Sequence, residues 1–163
     1  MWSISTECTD LSCGSTPGIP QISPSSLKAS ELPVQINYGA GSSDSTFASG
    51  LIYSGSVSIA GLQMSDQFLA AVNETNTDVP EFFSASGIFG TGFPSPSISA
   101  ISEVLLASKF ANSVSPVNPA EVTDAFISAI PTQGPLLTRL VANGLLAQPM
   151  YTVSYSLSML RFH

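Results

Sequence analysis

The first half of the chain carries the alternation of apolar and polar residues that is typical of β-strands. Residues 32–38 read LPVQINY, which places Val34, Ile36 and Tyr38 on one face. Residues 54–62 read SGSVSIAGL, in which apolar residues alternate with serines. Glycine and serine clusters at residues 39–45, Gly50 and Gly61 punctuate these runs, as expected for hairpins of short antiparallel strands. The pattern predicts a mostly β fold of closed or sandwiched antiparallel sheets.

A short apolar run in the same half is interrupted by glycines. Residues 86–93 read SGIFGTGF, with glycine at positions 87, 90 and 92. Glycine within a strand usually marks a bend or the close approach of another backbone. We therefore expect another part of the chain to pass close to this run.

The period of the hydrophobic positions changes to three or four near residue 95. Ile98, Ile101, Leu105 and Leu106 share one helical face, which predicts an amphipathic helix over residues 97–111. Because leucine stripes at this spacing are usually core, we interpret them as packing against the sheet.

Two more helices and a strand follow. Pro119 predicts the start of a helix that extends toward Ile130. A third helix contains Leu136, Leu137, Leu140 and Val141, and Gly144 or Pro149 ends it. Residues 150–157, MYTVSYSL, return to alternation and predict a final strand.

Composition restricts the classes of function. The chain has 163 residues, of which 44% are hydrophobic and 9% charged, with a formal net charge of -7. This is enough apolar material for one domain with a core of its own. Because only four basic residues are present and they are scattered, nucleic-acid binding is excluded. A surface with few charges and many hydroxyl groups suits an acidic or extracellular setting.

Neither a membrane span nor a signal peptide is expected in the chain. The longest uncharged stretch toward the C-terminus, residues 140–160, contains Gly144, Pro149 and several hydroxyl residues, which a lipid-spanning helix would have to satisfy internally. The N-terminus, MWSISTEC, has neither a basic nor an apolar region of the signal-peptide type.

The two cysteines and one sequon suggest the chemistry of an oxidising compartment. Cys8 and Cys13 are five positions apart in a turn-rich segment, which can close a small disulfide loop, and two free thiols are the alternative. No metal site or cofactor is expected, because His163 is the only histidine and two thiolates are too few. Asn73 begins the glycosylation sequon Asn-Glu-Thr, which has meaning only in a secreted protein.

Several segments, in a fixed order, carry a resemblance to a known family. They are Trp2, the cysteine pair, INYGAGS (36–42), VSIAGLQMSDQFLAAV (57–72), SGIFGTGFPS (86–95) and LLAQPMYTVSYS (145–156). In this order they resemble the N-terminal lobe of a pepsin-like aspartic endopeptidase of family A1, and the secreted fungal branch most of all. The resemblance implies an extracellular protein that acts on peptide or protein substrates.

The resemblance also implies a catalytic mechanism, but the sequence lacks the aspartate motifs that this mechanism requires. In the family, each of two lobes supplies one aspartate in an Asp-Thr-Gly or Asp-Ser-Gly turn, and the two carboxylates share a proton. Neither motif occurs in the sequence, since each of the five aspartates precedes Leu, Ser, Gln, Val or Ala. We therefore expect no catalytic residue, no activity of the chain alone, and a requirement for a C-terminal lobe.

The division of the chain follows from the same comparison. Residues 1–163 are interpreted as a single incomplete N-terminal lobe that begins just after the first catalytic turn, as in a truncated gene model. Residues 1–95 are strand-rich and include the flap hairpin, and residues 96–131 form a possible helical insertion. Residues 132–157 hold the last helix and strand, and residues 158–163 form an unrelated tail.

The residues that match the family's substrate-covering elements are the candidate site. Tyr38, Gly39 and Gly41 match the flap, whose tyrosine hydrogen-bonds toward a strand tryptophan, here Trp2. Phe83 and Ile88 match the wall of the first substrate pocket, where apolar side chains favour apolar peptide residues. The alternative is that Tyr38 merely ends an edge strand and that Trp2 is a loose terminal aromatic.

Three functions remain open from the sequence. The first is a fragment of an acid endopeptidase. The second is a secreted, non-catalytic pseudoprotease that holds peptides or blocks an intact protease. The third is a structural glycoprotein, to which the serine-rich surface and the Asn73 sequon point.

Overall fold

The computed structural model describes residues 1–8, 13, 18–38, 46–77, 85–90, 100–110, 119–148, 150 and 152. Five strands and three helices lie in this part of the chain. In chain order they are β1 (Trp2–Ile4), β2 (Lys28–Tyr38), β3 (Thr46–Ile59), β4 (Leu62–Thr75), β5 (Gly87–Ile88), α1 (Ala100–Phe110), α2 (Pro119–Gln133) and α3 (Leu136–Ala142).

The strands form one five-stranded sheet in the order β2-β3-β4-β1-β5. Three of the four pairings are antiparallel, whereas β1 runs parallel to β4. The mostly β class is confirmed, although the described strands form one mixed sheet where antiparallel sheets were expected. The parallel pairing places Trp2 inside the sheet, between Ala70 of β4 and Ile88 of β5.

The β3–β4 hairpin is the largest unit of the sheet. Ala60 and Gly61 connect the two strands, with φ of 50° and 80°. Positive φ at both central residues of a two-residue loop matches the right-handed twist of the flanking strands. The turn expected around Gly61 is thus confirmed.

One face of the sheet and α1 enclose the main hydrophobic core. Ile4, Ile52 and Val72 are completely buried at its centre, where strands β1, β3 and β4 meet. Ile101 and Leu105 of α1 are buried against the same cluster. The leucine stripe predicted for this helix is therefore core packing, as interpreted.

A second, smaller cluster fixes α3 to the far end of the β3–β4 hairpin. Leu136, Leu137 and Leu140 are buried with Met64 of β4, and Phe89, which follows β5, packs against them. The burial of these leucines on α3 explains why a seven-residue helix is stable, since most helical stability in proteins comes from such packing.

Arg139 of α3 is buried and joins this helix to a bulge in β4. Ser65 and Asp66 have no register partner in β3, and Asp66 has φ of 51°. The Arg139 guanidinium donates to the main-chain oxygens of these two residues at 3.2 and 2.9 Å, and to Gln67 Oε1 at 3.2 Å. Burial lowers the pKa of Arg139, and the Asp66 charge opposes this effect. The guanidinium therefore binds the main chain of β4 where its register with β3 is interrupted.

The helices agree with the sequence prediction except at their ends. The second helix, α2, was expected toward Ile130 and runs on through Pro131 to Gln133. The main-chain oxygen of Pro131 accepts hydrogen bonds from Arg139 Nε and Asn143 Nδ2, both at 3.0 Å, which holds this end of α2 against α3. The predicted final strand, residues 150–157, lies almost entirely outside the described residues.

Candidate functional site

A hydrogen bond between the two aromatic residues expected to pair is present. Trp2 is 2% exposed, and its Nε1 donates to the Tyr38 hydroxyl at 2.5 Å. The partners are 36 positions apart in sequence, and β3 and β4 lie between the strands that carry them, so the bond joins side chains of strands that are not neighbours in the sheet. Trp2 is therefore a core residue with its polar end satisfied, and the alternative of a loose terminal aromatic is wrong.

Gly87 explains how β5 approaches β1. The register pairs Ser3 with Gly87 and Trp2 with Ile88. A side chain at position 87 would overlap the main-chain oxygen of Trp2 and would lie 2.8 Å from the Ser3 Cα. The close backbone approach expected in this glycine run is thus confirmed at Gly87, whereas nothing lies within 4 Å of a Cβ at Gly90.

An open cleft of about 290 Å³ lies next to this strand pair. Trp2, Ile88 and Phe89 line one part of it, and side chains from β3, β4 and the segment before β2 complete the wall. The lining residues are Met1, Trp2, Ser3, Ile22, Leu27, Ser56, Val57, Leu69, Ser86, Gly87, Ile88 and Phe89. None of these residues has an ionisable side chain, so the cleft suits an apolar group.

Tyr38 is joined to the cleft through Trp2. Tyr38 is half-buried and packs against the main core, whereas Trp2 touches both the core and the cleft. Burial raises the pKa of the Tyr38 hydroxyl, and the Trp2 hydrogen bond partly opposes this effect. The neutral phenol is therefore the form that the folded chain prefers.

Replacement of Tyr38 by phenylalanine removes the acceptor and keeps the ring. We expect a loss of about 1 to 2 kcal/mol in the free energy of unfolding, because the buried Trp2 N–H loses its partner. Because the pKa of Tyr38 is raised, its stabilising contribution is complete below the ordinary value of about 10 and is lost as pH rises through the folded value. Denaturant unfolding followed by the emission of Trp2, the single tryptophan, measures both effects.

Tyr53→Phe, at the tyrosine of β3, is the matched control for this prediction. Wild type should lose stability above about pH 10 more steeply than Tyr38→Phe does. Equal alkaline slopes in wild type and Tyr38→Phe would contradict the role given to this hydroxyl.

The remaining candidate residues divide into described and undescribed positions. Ile88 lines the cleft, and its assignment to the wall of a substrate pocket stays a prediction. Gly39, Gly41 and Phe83 lie outside the described residues, and their assignment to the flap and the pocket wall stays a prediction.

The cysteine pair forms a disulfide. Cys8 and Cys13 are bonded to each other, which decides between the disulfide and two free thiols. The Cys8 Sγ lies 2.9 Å from the main-chain oxygen of Asn73, so that Cys8 contacts β4. Asn73 is exposed, as glycosylation requires.

Acidic and metal-ligating residues do not assemble a second site in the described part of the chain. Asp66 and Asp124 are both exposed, one on β4 and the other on α2. No group of three or more His, Cys, Asp or Glu residues that could hold a metal ion occurs among the described residues. Within the same ranges, no helix is sufficiently long and apolar to span a membrane.

Part of the cleft wall was not found from the sequence. Leu27, Val57 and Leu69 line the cleft, but they come from different segments and look like ordinary strand or loop positions. The only available signal was the alternation around Val57, which indicates a strand face without saying what the face meets.

Comparison with known protein families assigns the chain to one family. The family model described as eukaryotic aspartyl protease matches residues 1–159. No curated protein matches the chain significantly. The match extends over the Trp2–Tyr38 pair, the cleft and all three helices, so the chain belongs to the eukaryotic aspartyl protease family.

Proposed function

We propose that the chain is the N-terminal, substrate-covering lobe of a pepsin-like aspartic endopeptidase related to the secreted fungal enzymes. The observation that carries this proposal is the Trp2–Tyr38 hydrogen bond beside a cleft that is lined mostly by apolar side chains and by no ionisable one. Membership of the protease family supports peptides or proteins as its substrates.

The first step of the argument concerns the flap. Tyr38 ends β2, and its hydroxyl is held by Trp2, which is itself fixed between β4 and β5. A tyrosine anchored at one end of a hairpin gives the segment that follows it in sequence, which includes Gly39 and Gly41, a rigid base. Such a base lets a loop close over substrate and exclude water without the strand itself moving.

The second step concerns the cleft. Its hydrophobic lining and its small hydroxyl groups suit an apolar peptide side chain, with serines available for main-chain polar groups. Phe83 belongs to the same wall in this proposal.

Ile88→Ala is expected to weaken binding of a short peptide with a central leucine or phenylalanine by about tenfold, because the cleft loses part of its apolar wall. Titration followed by Trp2 emission measures the affinity. Ile127→Ala, at an isoleucine of α2 that is 58% exposed, is the matched control and should leave binding unchanged. Equal affinities for the apolar peptide and for one with a central aspartate would contradict the proposed pocket.

The third step concerns catalysis. The 163 residues contain no Asp-Thr-Gly or Asp-Ser-Gly, and the cleft lining has no acidic side chain. A general acid and a general base are both needed to activate water against a peptide bond. We therefore propose that these residues alone are inactive and that hydrolysis requires aspartates from elsewhere, including a C-terminal lobe.

Digestion of a denatured protein at acid pH, with and without a pepstatin-type inhibitor, tests this step. We expect no inhibitor-sensitive cleavage by the purified 163-residue chain. Inhibitor-sensitive cleavage would overturn the proposed inactivity and would require a carboxylate pair assembled in another way, such as by association of two chains.

A non-catalytic peptide-binding protein is the second candidate, because the cleft and the tyrosine anchor are present while the catalytic motifs are not. Both catalytic turns must be supplied to separate the two candidates: the chain is extended at its N-terminus by the strand of a related protease that carries the first Asp-Thr-Gly turn, and a separately produced C-terminal lobe of that protease is added. Restored cleavage supports the endopeptidase lobe, whereas peptide binding that the added lobe does not convert into cleavage supports the binding protein.

An extracellular location is proposed together with this function. The Cys8–Cys13 disulfide supports it, since disulfides persist in oxidising compartments. The proposed division of the chain is retained, with residues 96–131 as a helical insertion and residues 158–163 as an unrelated tail.

A further inference from the structure

Asn73 occupies an unusual position in β4. The register pairs Glu74 with Ser49 and Val72 with Gly50, so that Asn73 is the extra residue of a β-bulge. Its side chain is exposed. A bulge residue has no directly opposing side chain, and its own side chain is free to carry a large substituent.

The third residue of the sequon, Thr75, is buried, in contrast to the exposed Asn73. Thr75 is completely buried, and its hydroxyl donates to the Phe47 main-chain oxygen at 2.7 Å. The same oxygen atom of Thr75 accepts the Thr77 N–H at 3.1 Å. The hydroxyl is thus part of the connection between β3 and the end of β4.

Once the sheet is formed, a transferase cannot reach both sequon residues at the same time. A sequon is recognised through the asparagine and through the hydroxyl of its third residue. In the folded chain the Asn73 amide is accessible, but the Thr75 hydroxyl is enclosed and already bonded. A transferase can reach both groups only while β4 is separate from β3.

We propose that Asn73 carries an N-linked glycan that is attached before β4 pairs with β3. In the reaction, a bond forms between the Asn73 amide nitrogen and the anomeric carbon of a lipid-pyrophosphate-linked oligosaccharide. The anomeric carbon–oxygen bond to the pyrophosphate breaks, the lipid pyrophosphate leaves, and the amide nitrogen loses one proton. Thr75 therefore has two successive functions, first in sequon recognition and then in the hydrogen bonding of the sheet.

Two neighbouring features support the assignment. Cys8 of the disulfide lies against the Asn73 main-chain oxygen at 2.9 Å, so that two modifications of the oxidising secretory compartment adjoin each other. Asn73 also borders a shallow depression with Leu51, which is 37% exposed on β3. A glycan at this position covers an apolar side chain that the fold leaves in water.

The proposal depends on entry of the chain into the secretory pathway and is independent of peptide binding. Expression of the full chain behind a cleavable secretion signal in a eukaryotic cell tests the acceptor. We expect a mass increase that peptide N-glycosidase removes. Asn73→Gln and Thr75→Val should lose the increase completely, whereas Thr75→Ser should retain it.

Thr77→Val is the matched control, because Thr77 is a neighbouring hydroxyl residue outside the sequon. It should keep the glycan. Because Thr75→Val removes a buried hydrogen bond and can fail to fold, Asn73→Gln is the decisive variant, since its side chain is exposed. An unmodified secreted wild type, or a glycan that persists in Asn73→Gln, would overturn the acceptor assignment.

A second experiment tests the order of events. Unglycosylated full-length chain is offered to membranes that contain the oligosaccharyltransferase and its lipid-linked donor, in the native form and in a reduced, unfolded form. We expect at least tenfold more modification of the unfolded form. Equal modification of both forms would show that the folded sequon is accessible, and the proposed order would be wrong.

Discussion

Replacement of Arg139 by alanine should lower the free energy of unfolding by about 3 kcal/mol, because four partly or fully buried hydrogen bonds from one charged donor group are lost at once. Arg139 is 5% exposed and donates to main-chain oxygens of Ser65, Asp66 and Pro131 and to the Gln67 side chain. Ser65 and Asp66 belong to the bulge and have no register partner in β3. No side chain shorter than arginine reaches all of these acceptors.

Urea denaturation followed by circular dichroism measures this loss. Arg139→Lys keeps the charge but has no planar fork of donors, and it should lose about half as much as the alanine variant. Lys109→Ala, at an exposed basic residue of α1, is the matched control and should change the free energy of unfolding by about 0.5 kcal/mol or less. A stability of Arg139→Ala within the range of this control would refute the structural role of the guanidinium.

Gly87→Ala should damage both stability and peptide binding. The new Cβ overlaps the Trp2 main-chain oxygen and approaches the Ser3 Cα, and neither backbone atom can rotate away. Because β5 has only two residues, the least costly relief is separation of β5 from β1. We expect a loss of about 2 to 3 kcal/mol in the free energy of unfolding.

Separation of β5 also removes Ile88 from the cleft wall. Affinity for the apolar peptide should therefore fall at least as far as in Ile88→Ala, and the Trp2 emission should shift as its surroundings gain water. Gly90→Ala is the matched control, because nothing lies within 4 Å of a Cβ at that position. It should keep wild-type affinity and stability. A Gly87→Ala variant that binds peptide as Gly90→Ala does would show that β5 does not form the cleft as described.

These two predictions distinguish residues that support the cleft from behind from residues that form its wall. Arg139 and α3 hold the far end of the β3–β4 hairpin, and Phe89 extends from the cleft wall into the same cluster. Loss of Arg139 should therefore weaken the support behind the cleft without removing any atom that lines it. Loss of Gly87 acts on the wall itself.

The local elements could be predicted because their causes lie within a few residues. The alternation around Val34 and Val57, the glycine at position 61 and the three-to-four spacing in α1 each express a short-range preference of the backbone or of one face. The pairing of Cys8 with Cys13 is local in the same sense, as the two residues are five positions apart. Among the described residues two boundaries were misplaced. Gly50 lies within β3 and not between strands, and α2 runs past Ile130, where the oxygen of Pro131 is held by residues of the next helix and its loop.

The pairing of Trp2 with Tyr38 was predicted from the resemblance to the family and not from the local pattern. Alternation alone placed Tyr38 at the end of a strand and left open whether Trp2 was ordered. Resemblance to the family supplied the pairing, and the structure brings the two residues into contact across 36 positions. The sequence therefore named the two residues, while the contact between them depends on the order of the strands in the sheet.

By itself, the sequence determined the classes of element, the residues that carry the family's substrate-covering pattern, and the absence of both catalytic motifs from these 163 residues. Only the tertiary structure decided that β1 runs parallel to β4, that Arg139 is buried on a bulge, and that Leu27, Val57 and Leu69 share one cleft. The physical reason is that local preferences act along the chain, whereas cavities and buried polar partners arise between segments that are distant in sequence. Thr75 shows the difference most clearly, because its sequon role can be read from three residues, but its burial depends on the strand that pairs with it.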